Sequence, residues 1–376
     1  MTVYRLRSVV QNYAWGHTST LARLQGREPG TEPEAELWVG AHPSAPSQVE
    51  GDDADPVGLD EFLAGPGASH LPDGVTELPF LLKILAIGGP LSIQVHPDAA
   101  QARAGFDRDE AAGLDVGDPT RSYKDASDKP EVVVALEPMR VLVGLQDADE
   151  LSRLADEHDL TWLKPLADGS PSELVTSIFA LSDEATEDAL DELAAADLDP
   201  ERARLVEELL DDYPGDRGVL VAACMNLIHL QPGEALFTDA GVLHAYVSGT
   251  AVEIMNPSDN VLRAGLTPKH IDTTELARIL RSDQRRPEQL TITESGDGGL
   301  VVPLWTDQVG LRHYTGSRTD VRLQGLTVAL ATAPSSIEVD GTTHEVPSGQ
   351  AVLVLGDHRV DLTGDLWLAG CPATST

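Results

Sequence analysis

Three short segments bring together side chains that could bind a metal. In Leu91-Ser92-Ile93-Gln94-Val95-His96-Pro97-Asp98 an extended chain turns Ser92, Gln94 and His96 to one side and Ile93 and Val95 to the other. Such a polar face backed by apolar residues suits a pocket lining. In Lys129-Pro130-Glu131, which leads into Val132-Val133-Val134, Glu131 stands at a strand entrance with Lys129 on the same side. His244 lies in the apolar stretch Gly241-Val242-Leu243-His244-Ala245-Tyr246, after the turn Pro232-Gly233-Glu234. Alone it reads as a satisfied core histidine. With His96, Glu131 and Gln94 it completes a mixed nitrogen and oxygen set. Two imidazoles and a carboxylate serve zinc with an open position and, equally, the facial triad of non-haem iron oxygenases, so residue types leave the metal open. The other nine histidines, His42 among them, lack comparable settings.

The rare lysines give a second signal. Arginine supplies 21 of the 26 cations, leaving Lys83, Lys124, Lys129, Lys164 and Lys269, four of which fall in or beside candidate segments. An ammonium is a compact charge suited to phosphate contact or proton transfer. The stretch from Glu253 to Lys269 mixes Glu253, Asp259, Arg263 and Lys269 with Gly and Pro turns, and reads as a functional loop on a rigid scaffold. Its bland alternative is a polar surface loop. With Lys83 and Lys129 it could concentrate positive charge in a chain whose formal net charge is -36. That field repels nucleic acid, so an anionic partner must be a small one held where cations cluster.

The elements that carry these segments look mainly β. Short apolar or alternating runs at residues 91–95, 131–136, 140–143, 235–238 and 351–355, set between Gly, Pro and Asp, predict strands. Strands do not alternate regularly with helices and no Gly-rich phosphate loop opens one, which disfavours a doubly wound or barrel α/β fold. Pro232-Gly233-Glu234-Ala235-Leu236-Phe237 is echoed by Pro347-Ser348-Gly349-Gln350-Ala351-Val352-Leu353, as in a duplicated jelly roll. Residues 147–216 differ: 22 acids stand against four bases, half the net charge, with Leu190, Leu193 and Ala194, then Leu205, Leu209 and Leu210, at helical spacing. This predicts an acidic helical insertion with a solvated face.

At these segments the chain resembles the type I phosphomannose isomerases, zinc-dependent double-cupin enzymes. The resemblance runs from Gln11-Asn12-Tyr13-Ala14-Trp15-Gly16 through Glu36-Leu37-Trp38-Val39-Gly40-Ala41-His42-Pro43, the block ending at Asp98 and Lys129-Pro130-Glu131, to Asn260-Val261-Leu262-Arg263-Ala264-Gly265-Leu266-Thr267-Pro268-Lys269. It implies two cupin barrels with an inserted helical domain: residues 1–145 and 218–290 as the catalytic cupin, 146–217 as the insertion and 291–376 as a second cupin without metal. One zinc per chain would sit on Gln94, His96, Glu131 and His244. Arg263, Lys129, Glu253 and Asp259 would be catalytic, and Lys83, Ser92, Lys269, Trp15 and Tyr246 would meet the sugar phosphate. Lys129 is preceded by Ser127-Asp128, where many members have Asn-His, so this chain lacks that histidine.

The implied reaction interconverts mannose 6-phosphate and fructose 6-phosphate through a cis-enediol, with zinc as Lewis acid. An iron-dependent cupin oxygenase or a non-catalytic sugar-binding bicupin would share the fold, but neither needs the lysine and arginine cluster together with an intact ligand set. Two cysteines, Cys224 and Cys371, and a start without signal-peptide features lead to the expectation of a cytoplasmic protein with no membrane or nucleic-acid partner; the oligomeric state is left open, a monomer being compatible with the sequence.

Overall fold

The structure, a computed structural model, describes residues 2–51, 55–72, 74–284 and 286–371. Two large antiparallel sheets, of ten and eleven strands among the described residues, form two cupin-type barrels packed against each other. The expected strands appear at Glu131–Ala135, Met139–Leu145, Ala235–Thr238 and Ala351–Leu355. Residues 91–95 are a partial exception, because only Gln94–Val95 is a strand. Ile93 instead exchanges single backbone hydrogen bonds with Ala264 and Gly265, so that stretch is extended without a continuous ladder.

The twelve-residue strand His244–Met255 organises the first sheet. Its first half pairs with Met139–Leu145 and its second half with Leu81–Ile87 and Glu131–Ala135. The change of partner falls at Gly249, at φ +121°, where a Cβ would lie 2.8 Å from Met139 Cα. Only glycine accepts both the left-handed backbone and that approach.

The turn echo is a repeat of hydrogen bonding. Gly233 donates to Ala135 and Ala135 to Glu234, at 2.8 and 3.0 Å; Gly349 donates to Ala331 and Ala331 to Gln350, at the same two distances. Gly364, at φ +109°, takes the place of Gly249 in the second barrel's long strand His358–Cys371.

Period-two alternation then sorts the side chains. One face of each sheet enters a shared layer, where Leu82, Ile84, Val132, Val134, Val252 and Ile254 meet Val328, Leu330, Leu353, Trp367 and Ala369. Each such buried aliphatic side chain contributes roughly 1.5–3 kcal/mol relative to exposure. The intervening positions point into the barrels: Leu85, Val133, Ala135 and Ala251 in the first, Tyr314, Ala329, Ala331 and Leu366 in the second. Lys83 and Glu253 belong by alternation to the first barrel's interior. The chain also crosses over at its start, since Val3–Arg7 pairs with Ala351–Leu355 of the second sheet.

Five helices, Ala148–Glu157, Pro171–Phe179, Asp183–Ala195, Pro200–Asp212 and Gly218–Ala223, lie between Met139–Leu145 and Met225–Leu230, two strands that pair with each other. Asp147 and Ser170 each close a capping box with the glutamate three residues on. Leu190, Leu193, Leu205 and Leu209 are buried as their spacing requires, and the layer they join also contains Ile93 and Val95. Ala194 departs from the expected stripe and faces solvent, and Leu210 is half-buried. No described helix is long and apolar enough to cross a membrane.

Candidate active site

His96, Glu131 and His244 are fully buried, with ligand atoms within 4.8 Å of one another. His96 Nδ1 donates to the Asn260 carbonyl at 2.8 Å and His244 Nδ1 to the Val242 carbonyl at 3.1 Å. These bonds place the remaining lone pairs on Nε2. Both Nε2 atoms are buried without a hydrogen-bond partner and lie 3.5 and 3.4 Å from Glu131 Oε2. Two oriented lone pairs and a carboxylate oxygen meeting in a dry recess fit a zinc ion. Gln94, cross-strand neighbour of both His244 and Arg263, lines the same recess and can add a fourth donor.

Electrostatics prepare this group for a cation. Burial pushes the His96 imidazole down to about 4, with the Lys129 ammonium adding to the effect, so the ring stays neutral and able to ligate. Burial alone would raise the Glu131 carboxyl, but the Lys129 ammonium above all holds it well below the usual carboxylate range. Lys129 Nζ donates to Glu131 Oε1 at 2.6 Å.

Strand register builds a second row beside the metal group. Trp38, Lys83 and Glu253 stand opposite one another on three neighbouring strands. Lys83 Nζ lies 3.1 Å from Glu253 and 3.3 Å from Glu36, whose carboxylate also accepts from the Trp38 indole. Burial opposes the Lys83 charge, but Glu36, Glu253 and Glu131 outweigh it and keep the ammonium protonated. Glu253 also accepts from the Tyr246 hydroxyl at 3.0 Å. Its carboxyl is raised by burial, with Glu131 and Glu36 adding to that rise against Lys83 and Lys129.

Outside this row a cavity of about 940 Å³ opens to the surface. Ser92, Gln94, Trp15 and Asp259 line it, as do Lys124, Arg263 and Lys269. Burial and then its neighbours Arg263 and Lys124 depress the Lys269 ammonium, and burial lowers the Arg263 guanidinium. No described carboxylate forms an ion pair with any of these three cations. Three mutually repelling cations in a strongly acidic chain make a ready anion site.

The loop carrying them is fastened at two points. Asn260, fully buried, accepts from Lys124 N at 2.8 Å through Oδ1, donates to the Asp125 and Ser127 carbonyls, and with its own carbonyl orients His96. Further along, Asp216 accepts from Gly218 N and Thr267 N at 2.6 and 2.9 Å. Gly265, at φ +116°, packs so closely on Gly218 that a Cβ would lie 2.2 Å from its Cα.

The expected residues therefore gather around one cavity in different roles. Lys83, at the floor of the cavity, and Tyr246, in the inner recess, are each bound to buried carboxylates, whereas Ser92, Lys269 and Trp15 line the cavity with no such partner. Sequence reasoning gave no role to Glu36, Asn260 and His42, and noted Lys124 only as one of the rare lysines; the His42 ring is buried, its proton affinity lowered by that burial, and 3.6 Å from Asp259. The pattern Glu36-Leu37-Trp38 was the available signal, since an acid and an indole on one face of an otherwise apolar strand require partners.

A family model described as phosphomannose isomerase type I, catalytic domain, matches residues 3–148. The mannose-6-phosphate isomerase of Escherichia coli is 38% identical over 311 residues, which cover 76% of each chain. This chain belongs to the mannose-6-phosphate isomerase family. Another member, from Salmonella typhimurium, is 34% identical over 351 residues, 90% of this chain and 88% of its own. Among solved structures, mannose 6-phosphate isomerase in its zinc-bound holo form superposes with a TM-score of 0.89 at 28% identity, over 99% of this chain and all of that one. The Salmonella typhimurium enzyme bound to substrate (f6p) and zinc gives the same values.

Proposed function

We propose that this mannose-6-phosphate isomerase family member interconverts mannose 6-phosphate and fructose 6-phosphate with one zinc ion per chain, held by His96, His244, Glu131 and Gln94. The observation that carries this reading is the convergence of two unpartnered, tautomer-fixed Nε2 atoms on Glu131 beside a cavity with a three-cation rim. When bound, zinc supplies a Lewis acid that polarises the sugar oxygens at C1 and C2. The reaction exchanges no electrons with its surroundings, so a redox-silent metal suffices.

The chain's own residues supply the rest. Lys124, Arg263 and Lys269 take the phosphate, with Ser92 beside them, and Arg263 also neutralises charge developing on the sugar. Asp259, on the cavity wall with His42 near it, assists ring opening. Glu253 accepts the C2 proton and, after partial exchange with solvent, delivers a proton to C1 on the same face, while the O2 hydroxyl proton passes to O1, so atoms and protons balance across the turnover. Its raised affinity for a proton suits that exchange. Tyr246 and Lys83 fix its orientation. Lys129, committed to Glu131, positions the ligand rather than moving the proton. Both cysteines are free and buried, which suits a reducing, cytoplasmic setting.

Proton NMR of mannose 6-phosphate incubated with the zinc-loaded protein in D2O tests this directly. Fructose 6-phosphate should appear with deuterium entering at C1. Oxygen uptake without isomerisation would move the reading to an oxygenase.

A further inference from the structure

The second barrel reproduces the catalytic site in strand register while changing every side chain. In the first barrel Glu253 faces Lys83, and Lys83 faces Trp38; one row nearer the mouth, Met255 faces Leu81 and Glu131. The shared hydrogen-bonding pattern at Ala135 and Ala331 aligns the two barrels. Leu368, facing Arg312, then stands where Glu253 does, and Val301 where Trp38 does. Gly370, facing Gly310 and Thr327, stands where Met255 does. All six first-barrel residues line the catalytic cavity or its inner recess. All six counterparts line a separate cavity of about 450 Å³.

The replacements change what that cavity can hold. Thr327 and Leu368 remove both carboxylates, and among the described residues the only metal-type cluster remains that of the first barrel. Gly310 opens space where leucine stands in the first barrel, whereas Gly370, where methionine stands, lets the Leu326 carbonyl and the Thr327 hydroxyl approach closely. A Cβ on Gly310 would meet nothing within 4 Å. The cation of the row is kept, as Arg312, and Arg322 joins it on a wall that includes no acidic residue. Arg312 is braced by the Tyr314 hydroxyl and the Arg322 carbonyl, both at 3.0 Å, with Asp297 at 3.5 Å. Val302, Leu304 and Val309 supply apolar walls. A guanidinium beside an apolar wall matches a carboxylate on an apolar body.

We propose that the mouth of the second barrel is a metal-independent binding site for a small amphipathic organic carboxylate, its apolar part against Val301, Leu304 and Leu368 and its carboxylate toward Arg312 and Arg322. The site is separate from the isomerase centre. Binding therefore neither needs zinc nor competes with the sugar phosphate.

Calorimetric titration of the zinc-loaded full chain with octanoate tests the proposal, with octan-1-ol as the uncharged control and fructose 6-phosphate as competitor. Octanoate should saturate at one per chain, undisturbed by fructose 6-phosphate, and octan-1-ol should bind at least about tenfold more weakly. Gly310→Phe, which fills the cavity, should abolish saturation while isomerase turnover persists. Arg322→Ala, at an exposed side chain, should weaken binding by about tenfold. The proposal is overturned by no saturable binding up to about 10 mM, by displacement with fructose 6-phosphate, by equal binding of octan-1-ol, or by affinity unchanged in both variants.

Discussion

Lys129 and Glu131 stand two residues apart on one side of the chain, and the lysine ammonium donates to Glu131 Oε1 at 2.6 Å while Oε2 faces the two imidazoles. One carboxylate is thus divided between an internal cation and the metal position. Lys129→Met should leave Glu131 uncompensated, raise its proton affinity and weaken zinc binding by about 10–100-fold, the usual cost of losing an outer partner of a ligand. Zinc titration against a competing chelator reads this directly, and unchanged affinity would assign Lys129 another role.

Lys83 gives a prediction that differs from a phosphate role. Its substitution by alanine would leave Glu36 and Glu253 buried without their shared cation. Stability to urea should fall by about 3–5 kcal/mol, as for one half of a broken buried pair. Turnover should fall with it. A rise in KM alone, with wild-type stability, would return Lys83 to the phosphate.

Arg263 and Lys269 should separate kinetically. Arg263→Ala should lower kcat by on the order of 10²-fold or more, as for a lost transition-state charge partner. Lys269→Ala should mainly raise KM, by about tenfold for one charge-assisted contact. Steady-state kinetics of both variants decide it, and equal effects on kcat would contradict the division.

The backbone contact between Gly218 and Gly265 makes a stability claim about the loop. Gly265→Ala combines a left-handed φ with a 2.2 Å collision, and should cost roughly 1–3 kcal/mol while raising KM. Full stability with wild-type KM would show that the loop is held elsewhere.

Much of this site was legible before any coordinates. Gln94, His96, Glu131 and His244 announced themselves because polar side chains at strand spacing amid apolar runs need a reason to be there. The turn echo at Gly233 and Gly349 likewise pointed to duplicated barrels. What stayed hidden depends on pairing. Nothing local reveals that Lys83 faces Glu253 across the sheet, so its ammonium looked available for phosphate. For the same reason the first strand, Val3–Arg7, could not be placed on the second sheet. Asn260 was quoted within a motif, but its function lies in contacts 135 and 164 residues away, to Asp125 and His96.

The central claim is that isomerisation depends on a cation held between His96, His244 and Glu131. A coupled assay of mannose 6-phosphate conversion, run on the protein as isolated, after chelation and after zinc is restored, tests it most directly. Activity should disappear with the metal and return with zinc, while circular dichroism shows the fold retained throughout. Undiminished turnover in protein verified to be metal-free would contradict the account.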